Sequence, residues 1–98
     1  MDYSKFLYSL FEVAVAKAHP QECLPTFLPK KKIEGRTVVF GAGKASAAMA
    51  KVLEDHLPYE IEGLVITRYD YQVPCKKIEI VQAGHPIPDK NGMRAASR

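Results

Sequence analysis

Thr37-Val38-Val39-Phe40-Gly41-Ala42-Gly43-Lys44-Ala45-Ser46-Ala47-Ala48-Met49-Ala50-Lys51-Val52-Leu53 is the stretch that decides the fold. Its first four residues are β-branched or aromatic, as in a buried strand. From Ala45 onward the residues favour a helix. Gly41-Ala42-Gly43-Lys44 between them reads as a turn. Strand, glycine turn and helix together aim backbone N–H groups at an anion. Lys44 is expected in the first turn of a helix running from about Lys44 to His56. A cation there opposes the positive end of the helix dipole, and a bound phosphate or carboxylate reverses that sign. Gly41, Ala42, Gly43 and Lys44 are therefore candidate phosphate-binding residues.

Working outward, Gly63-Leu64-Val65-Ile66-Thr67 is a second strand with almost no polar alternation, as for a strand buried on both faces. The unit over 37–67 is a right-handed, parallel β–α–β. A third strand is expected over 77–83. The link from Arg68 to Lys76 is short for a parallel crossover, so this strand is either antiparallel or returned by a compact loop. Gly84-His85-Pro86-Ile87-Pro88 is not regular structure, and Asp89 begins a further helix over 89–98. Toward the amino terminus, Asp2 or Ser4 caps a helix over 2–18. Phe6, Leu7, Leu10, Phe11, Ala14 and Ala18 give it one apolar face. Residues 20–36 hold Pro20, Pro25, Pro29 and the run Lys30-Lys31-Lys32. They read as a solvated connector with one short turn near Glu22-Cys23-Leu24. The fold class is α/β, a Rossmann-like layered sheet with flanking helices. With three strands and an edge left open, it is expected to be the incomplete N-terminal part of a larger domain.

The bulk composition narrows the function classes. Ninety-eight residues suffice for one small domain. The net charge of +3 does not by itself call for nucleic acid or an anionic membrane. No apolar run approaches a membrane span. Cys23 and Cys75 form no C-x-x-C pair, and Met1-Asp2-Tyr3-Ser4-Lys5 has no secretory pattern. Reduced thiols and a cytoplasmic location are expected.

Two phosphate-binding templates fit the glycine turn poorly. The dinucleotide fingerprint wants a third glycine where Ser46 stands, and an acidic residue where the next strand ends in Thr67-Arg68. Arg68 would suit a 2′-phosphate, so NADP stays open. The P-loop pattern fails at Val38 and Ala45. What remains is a glycine turn, a helix start and a lysine. Open α/β sheets bind ligands beyond the carboxyl ends of their strands. If all three strands are parallel, Lys44, Arg68 and His85 converge there and suit an anionic substrate with a transferring phosphoryl group. Simpler roles compete. Arg68 is equally a surface cation, His85 a turn residue, and Asp89 a helix cap worth about 1 kcal/mol. Neither His19 nor His56 suggests a metal site, and Cys75 reads as an inert thiol.

Three ordered stretches resemble the class II glycerate kinases, which join a long N-terminal domain to a C-terminal MOFRL domain. They are Val39-Phe40-Gly41-Ala42-Gly43-Lys44-Ala45-Ser46-Ala47-Ala48-Met49-Ala50, then Gly63-Leu64-Val65-Ile66-Thr67-Arg68-Tyr69, then Glu79-Ile80-Val81-Gln82-Ala83-Gly84-His85-Pro86-Ile87-Pro88-Asp89. The resemblance implies phosphate transfer from ATP to the 2-hydroxyl of D-glycerate with Mg²⁺, and it gives Lys44 the role of the family's functional lysine in the cleft. Metal ligands, the later glycine-serine-rich nucleotide segment and the MOFRL domain are absent from this stretch, so the piece alone is expected to be inactive. Many such proteins are called hydroxypyruvate reductases. One departure stands out: after Thr-Arg-Tyr the family commonly has Gly-His, where this chain has Asp70-Tyr71. The alternatives are an NAD(P)-dependent hydroxypyruvate reductase and a non-catalytic anion-binding module. Oligomeric state leaves no mark in the sequence.

Overall fold

The computed structural model describes residues 2–98. In chain order the elements are α1 (Tyr3–Ala18), α2 (Pro20–Cys23), a 3-10 turn (Pro25–Phe27), β1 (Val38–Ala42), α3 (Ser46–His56), β2 (Glu62–Arg68), β3 (Ile78–Ala83) and α4 (Lys90–Ser97). The three strands form one sheet in the order β1-β2-β3, with both pairings parallel. Val39 sits opposite Gly63, and Gly63 opposite Ile78.

α3 covers one face of the sheet. Ala50 packs there with Val65, Ile78, Tyr59 and Ile61, and Val39, Leu53, Leu57, Cys75 and Ile80 pack against that cluster. α4 lies on the other face, over β3 and β2, where a Cβ built on Gly92 would meet the Ala83 methyl at 3.5 Å. Arg98 anchors its end, with Nη1 2.7 Å from Glu79 Oε1. Val65 and Thr67 point toward α3 and are only 2% exposed. Leu64 and Ile66 point the other way and are half-buried. β2 is therefore more open than a strand buried on both faces, because α4 covers only part of that side.

Three boundaries differ from the sequence reading. β1 continues through Gly41 and Ala42, because Ala42 still pairs with Ile66. The turn is thus only Gly43-Lys44-Ala45, and α3 starts at Ser46. The connector carries two short helical turns, since Pro20 and Pro25 each occupy a helix start, where a missing N–H costs nothing.

α1 is capped by Asp2, whose Oδ1 accepts from the Ser4 N–H at 3.0 Å. No residue of α1 is buried. Phe6, Leu7, Leu10 and Phe11 face solvent. The helix lies outside the sheet layers, and the Cα radius of gyration is 16.3 Å. A compact chain of this length has about 13 Å.

The parallel direction of β3 sets the form of the link before it through chain reach. Residues 69–77 link β2 to β3. They must return along a strand of about six residues, or roughly 20 Å. Nine residues span about 30 Å when extended but only about 13 Å as a helix. The link is accordingly extended, and its end is held by one side chain. Glu54 of α3 accepts from the N–H groups of Lys76 (2.8 Å), Lys77 (2.5 Å) and Ile78 (3.1 Å). Partial burial works against the Glu54 charge. The three N–H donors and nearby Lys51 outweigh it and hold the carboxyl below its ordinary pKa. A depressed pKa stabilises the fold above the unfolded value, and that stabilisation is lost as pH falls through the folded value. Glu54→Gln should lower stability at pH 7 by about 1–2 kcal/mol, because a charged acceptor is replaced by a neutral one. Thermal melts from pH 7 to pH 3 should show the wild type losing this margin and converging on the variant.

Candidate active site at the carboxyl ends of the strands

With all three strands parallel, their carboxyl ends open on one edge. Ala42, Gly43, Arg68 and His85 line one crevice there, of about 130 Å³, with Thr67 at its base. A second hollow of about 380 Å³ adjoins it and is lined by Arg68, Tyr69, Tyr71, Gly84, His85 and Ile87. Arg68 and His85 belong to both, so the convergence expected of them is realised. Lys44, expected to converge with them, lines neither hollow, and its side chain is exposed. Its carbonyl accepts from Thr67 Oγ1 at 3.2 Å. Gly41 is not part of this edge. It lies within β1, where an added Cβ would come 3.2 Å from Val65 Cγ1, so it serves packing under α3.

The glycine turn is sewn to the end of β2. The Gly43 N–H donates to the Ile66 carbonyl at 2.9 Å. Ser46 Oγ lies 2.8 Å from the Gly43 carbonyl and 2.9 Å from the Ile66 carbonyl, so its one proton is shared between the two. Gly43 has φ +124, a conformation that L side chains rarely adopt. Ala45 is the N-cap of α3, and no side chain caps the helix start. The Ser46 N–H donates to the Gly43 carbonyl at 3.2 Å and Ala47 is buried, so the N–H groups open to an anion are those of Lys44 and Ala45, just before the helix. Lys44 precedes this cap rather than lying inside the helix. Among the described residues neither Lys44 nor Arg68 belongs to an ion pair.

The wall from β3 is a loop held by Asp89, and the His85–Pro86 bond is cis. Asp89 Oδ1 caps α4 through the Gly92 N–H at 3.0 Å. Its Oδ2 accepts from the Tyr69 hydroxyl at 2.6 Å, and Asn91 donates to that hydroxyl at 2.8 Å. The hydrogen bond from Tyr69, followed by those from backbone N–H groups, holds the Asp89 carboxyl below its ordinary range. A Cβ on Gly84 would fall 2.6 Å from the Ile87 carbonyl, so only glycine allows this close return. Asp89 therefore both caps its helix and ties the two loops bounding the hollow.

Asp70-Tyr71 finds a structural meaning here. Asp70 has φ +70, the left-handed region where glycine is at ease and where aspartate is tolerated better than most residues. Its N–H donates to Gln82 Oε1 at 2.9 Å. The Arg68 guanidinium carbon lies 5.6 Å from the centroid of the Tyr71 ring. Sequence reading passed over Ser46 and Tyr69 as functional positions. Ser46 drew notice only as a small residue in a glycine slot, and Tyr69 gains its role from a partner twenty residues away. Among the described residues, no group of three His, Cys, Asp or Glu is placed to hold a metal ion and no helix is long and apolar enough to cross a membrane.

Comparison with known proteins places this geometry. A family model described as a domain of unknown function, DUF4147, matches residues 6–98. A protein of Agrobacterium vitis, provisionally named a hydroxypyruvate reductase, is 44% identical over 93 residues, covering 94% of this chain and 21% of its own length. The glycerate 2-kinase of Pyrococcus horikoshii is 40% identical over 65 residues, or 66% of this chain and 14% of the relative. The D-glycerate 2-kinase of Thermotoga maritima is 30% identical over 96 residues, or 96% of this chain and 23% of the relative. The chain thus spans about a fifth of the curated relatives it matches. Among solved structures, the PH0495 protein from Pyrococcus horikoshii superposes with a TM-score of 0.72 at 29% identity, covering 99% of this chain and 24% of that one.

Two substitutions test the local construction. Ser46→Ala removes the buried stitch and should cost about 1–2 kcal/mol in urea unfolding. At position 70, glycine should be at least as stable as aspartate, and Asp70→Val should lose about 1–3 kcal/mol, because a β-branched residue resists the left-handed conformation.

Proposed function

The chain belongs to the DUF4147 family, and from that premise we propose that it is the N-terminal part of a cytoplasmic glycerate 2-kinase that transfers the terminal phosphoryl group of ATP to the 2-hydroxyl of D-glycerate. The observation that carries this reading is the crevice shared by Gly43, Arg68 and His85, beside the uncapped start of α3 and Lys44. Two relatives named as glycerate 2-kinases support it.

Phosphoryl transfer asks a protein mainly for positioning and charge stabilisation. In the proposed reaction the glycerate hydroxyl oxygen bonds to phosphorus, the bridging oxygen leaves with ADP, and the hydroxyl proton is released. The Lys44 side chain and the free N–H groups of Lys44 and Ala45, just before α3, stabilise charge on the transferring group. Arg68 and His85 are suited to the substrate carboxylate across the crevice. Thr67 and Ser46 hold the turn to β2 and so fix where those N–H groups point. Mg²⁺ bound with the nucleotide would neutralise phosphate charge. The described residues include no cluster that would hold it, so no step on this chain is assigned to it.

The test uses a longer family protein that contains this chain. Phosphorus NMR after incubation with ATP, Mg²⁺ and D-glycerate should show 2-phosphoglycerate. Lys44→Ala should lower kcat/KM by about a hundredfold or more, the usual scale for removing one charge-stabilising donor. A near-normal rate would contradict the role of Lys44. NADPH oxidation with hydroxypyruvate and no phosphoglycerate would favour the reductase instead.

A further inference from the structure

Arg68 borders both the crevice and the hollow, yet no carboxylate holds it. Among the described residues no salt bridge includes it, and Asp70, two positions on, makes none with it. The contact it does make is aromatic. Its guanidinium carbon lies 5.6 Å from the centroid of the Tyr71 ring, within the range of a cation–π attraction. The kind of partner matters for function. A carboxylate would fill the N–H fork of the arginine and cancel its charge. An aromatic face attracts the charge and offers no acceptor oxygen, so the fork stays open to a planar oxyanion.

The backbone delivers Tyr71 to this place. Its N–H donates to the Arg68 carbonyl at 3.0 Å, which closes a turn over residues 68–71. Asp70, the third residue of that turn, has φ +70, as a type II turn requires. β3 and the chain just after it hold the turn from the side. Tyr69 N–H donates to the Ala83 carbonyl at 3.2 Å, and Asp70 N–H to Gln82 Oε1 at 2.9 Å. Gln82 Nε2 also donates to Gln72 Oε1 at 3.1 Å, which ties down the residue after Tyr71. The turn thus carries Tyr71 back beside the side chain three places earlier. Tyr71 lines the hollow and not the crevice, so its ring stands on the hollow side of Arg68 and leaves the side toward Gly43 clear. At position 71 the resembled family commonly has histidine, so the ring contact is a feature in which this chain departs from that pattern.

We propose that Tyr71 is a positioning residue, whose ring holds Arg68 in place with its N–H fork free for the carboxylate of a small hydroxy acid in the crevice. An arginine side chain has many rotamers, and ordering it before the ligand arrives lowers the cost of binding. Naming that acid as D-glycerate rests on the kinase reading; the holding of Arg68 does not.

Proton NMR of the 98-residue chain tests the holding directly. In the wild type and in Tyr71→Phe the Arg68 δ-methylene and Nε–H protons should be displaced upfield by the ring. In Tyr71→Leu they should return to ordinary positions. On titration with D-glycerate, Tyr71→Phe should keep the wild-type Kd. Tyr71→Leu should weaken it about two- to fivefold, the scale of a cation–π pair at an exposed ring. In an Arg68→Gln background Tyr71→Leu should add nothing, since the ring acts through the guanidinium. Undisplaced Arg68 protons in the wild type would overturn the proposal. So would equal weakening by Phe and Leu, no weakening by Leu, or a full Leu effect without Arg68. Where a variant fails to fold as this chain, the longer family protein carries the same substitutions. There Tyr71→Leu alone should raise KM for D-glycerate by the same factor with kcat unchanged, and a fall in kcat at constant KM would overturn the proposal. The ring displacement needs no ligand, and the titration is repeated with acetate. Failure of D-glycerate alone therefore counts against the kinase reading, and failure of both carboxylates counts against the role of Tyr71.

Discussion

Three backbone N–H groups held by the Glu54 carboxylate are the constraint on which the site depends. The link between β2 and β3 is too short to return as a helix. Without the return, β3 would run the other way and His85 would lie at the opposite end of the sheet from Gly43. Glu54 supplies the acceptors that a crossover helix would otherwise provide for itself. Its position, two turns into α3, also couples the link to the helix that begins at the glycine turn. The helix that presents an uncapped start at one edge fixes the start of β3 at the other.

β2 is the second organising element. Its end accepts the Gly43 N–H and a share of the Ser46 hydroxyl through Ile66, and donates through Thr67 to Lys44. The turn is thereby held by side chains buried under α3. The Lys44 and Ala45 N–H groups and the Lys44 side chain remain free for a ligand. Rigid support under an open, electropositive surface is what charge stabilisation requires. The Tyr69–Asp89 hydrogen bond does the same for the loops around His85.

Much of this was legible in the residues. The β-branched run before Gly41 and the small-residue helix after it announce the β–α–β unit, and Asp89 announces a helix cap. The extent of the turn was not legible, because Gly41-Ala42 pairs with β2 for tertiary reasons that local propensity does not carry. The direction of β3 was open for a similar cause: Glu54 is an unremarkable helix carboxylate until the fold brings residues 76–78 beside it. The apolar face read on α1 packs on nothing in the sheet, since periodicity reports amphipathicity and not the partner. Asp70 stood as a departure from the family pattern, and only its positive φ shows that the loop conformation accommodates it.

The central claim is that the carboxyl edge of this sheet, centred on Gly43 and His85, is an anion site. The most direct measurement is a nitrogen-15 NMR titration of the chain with inorganic phosphate, then ADP, then D-glycerate. Amide shifts should concentrate at Gly43, Lys44, Ala45, Ser46 and Gly84–His85, with Gly35–Thr37 at the opposite edge unmoved. Saturable shifts at the amino ends of the strands, or none at the glycine turn, would contradict the claim.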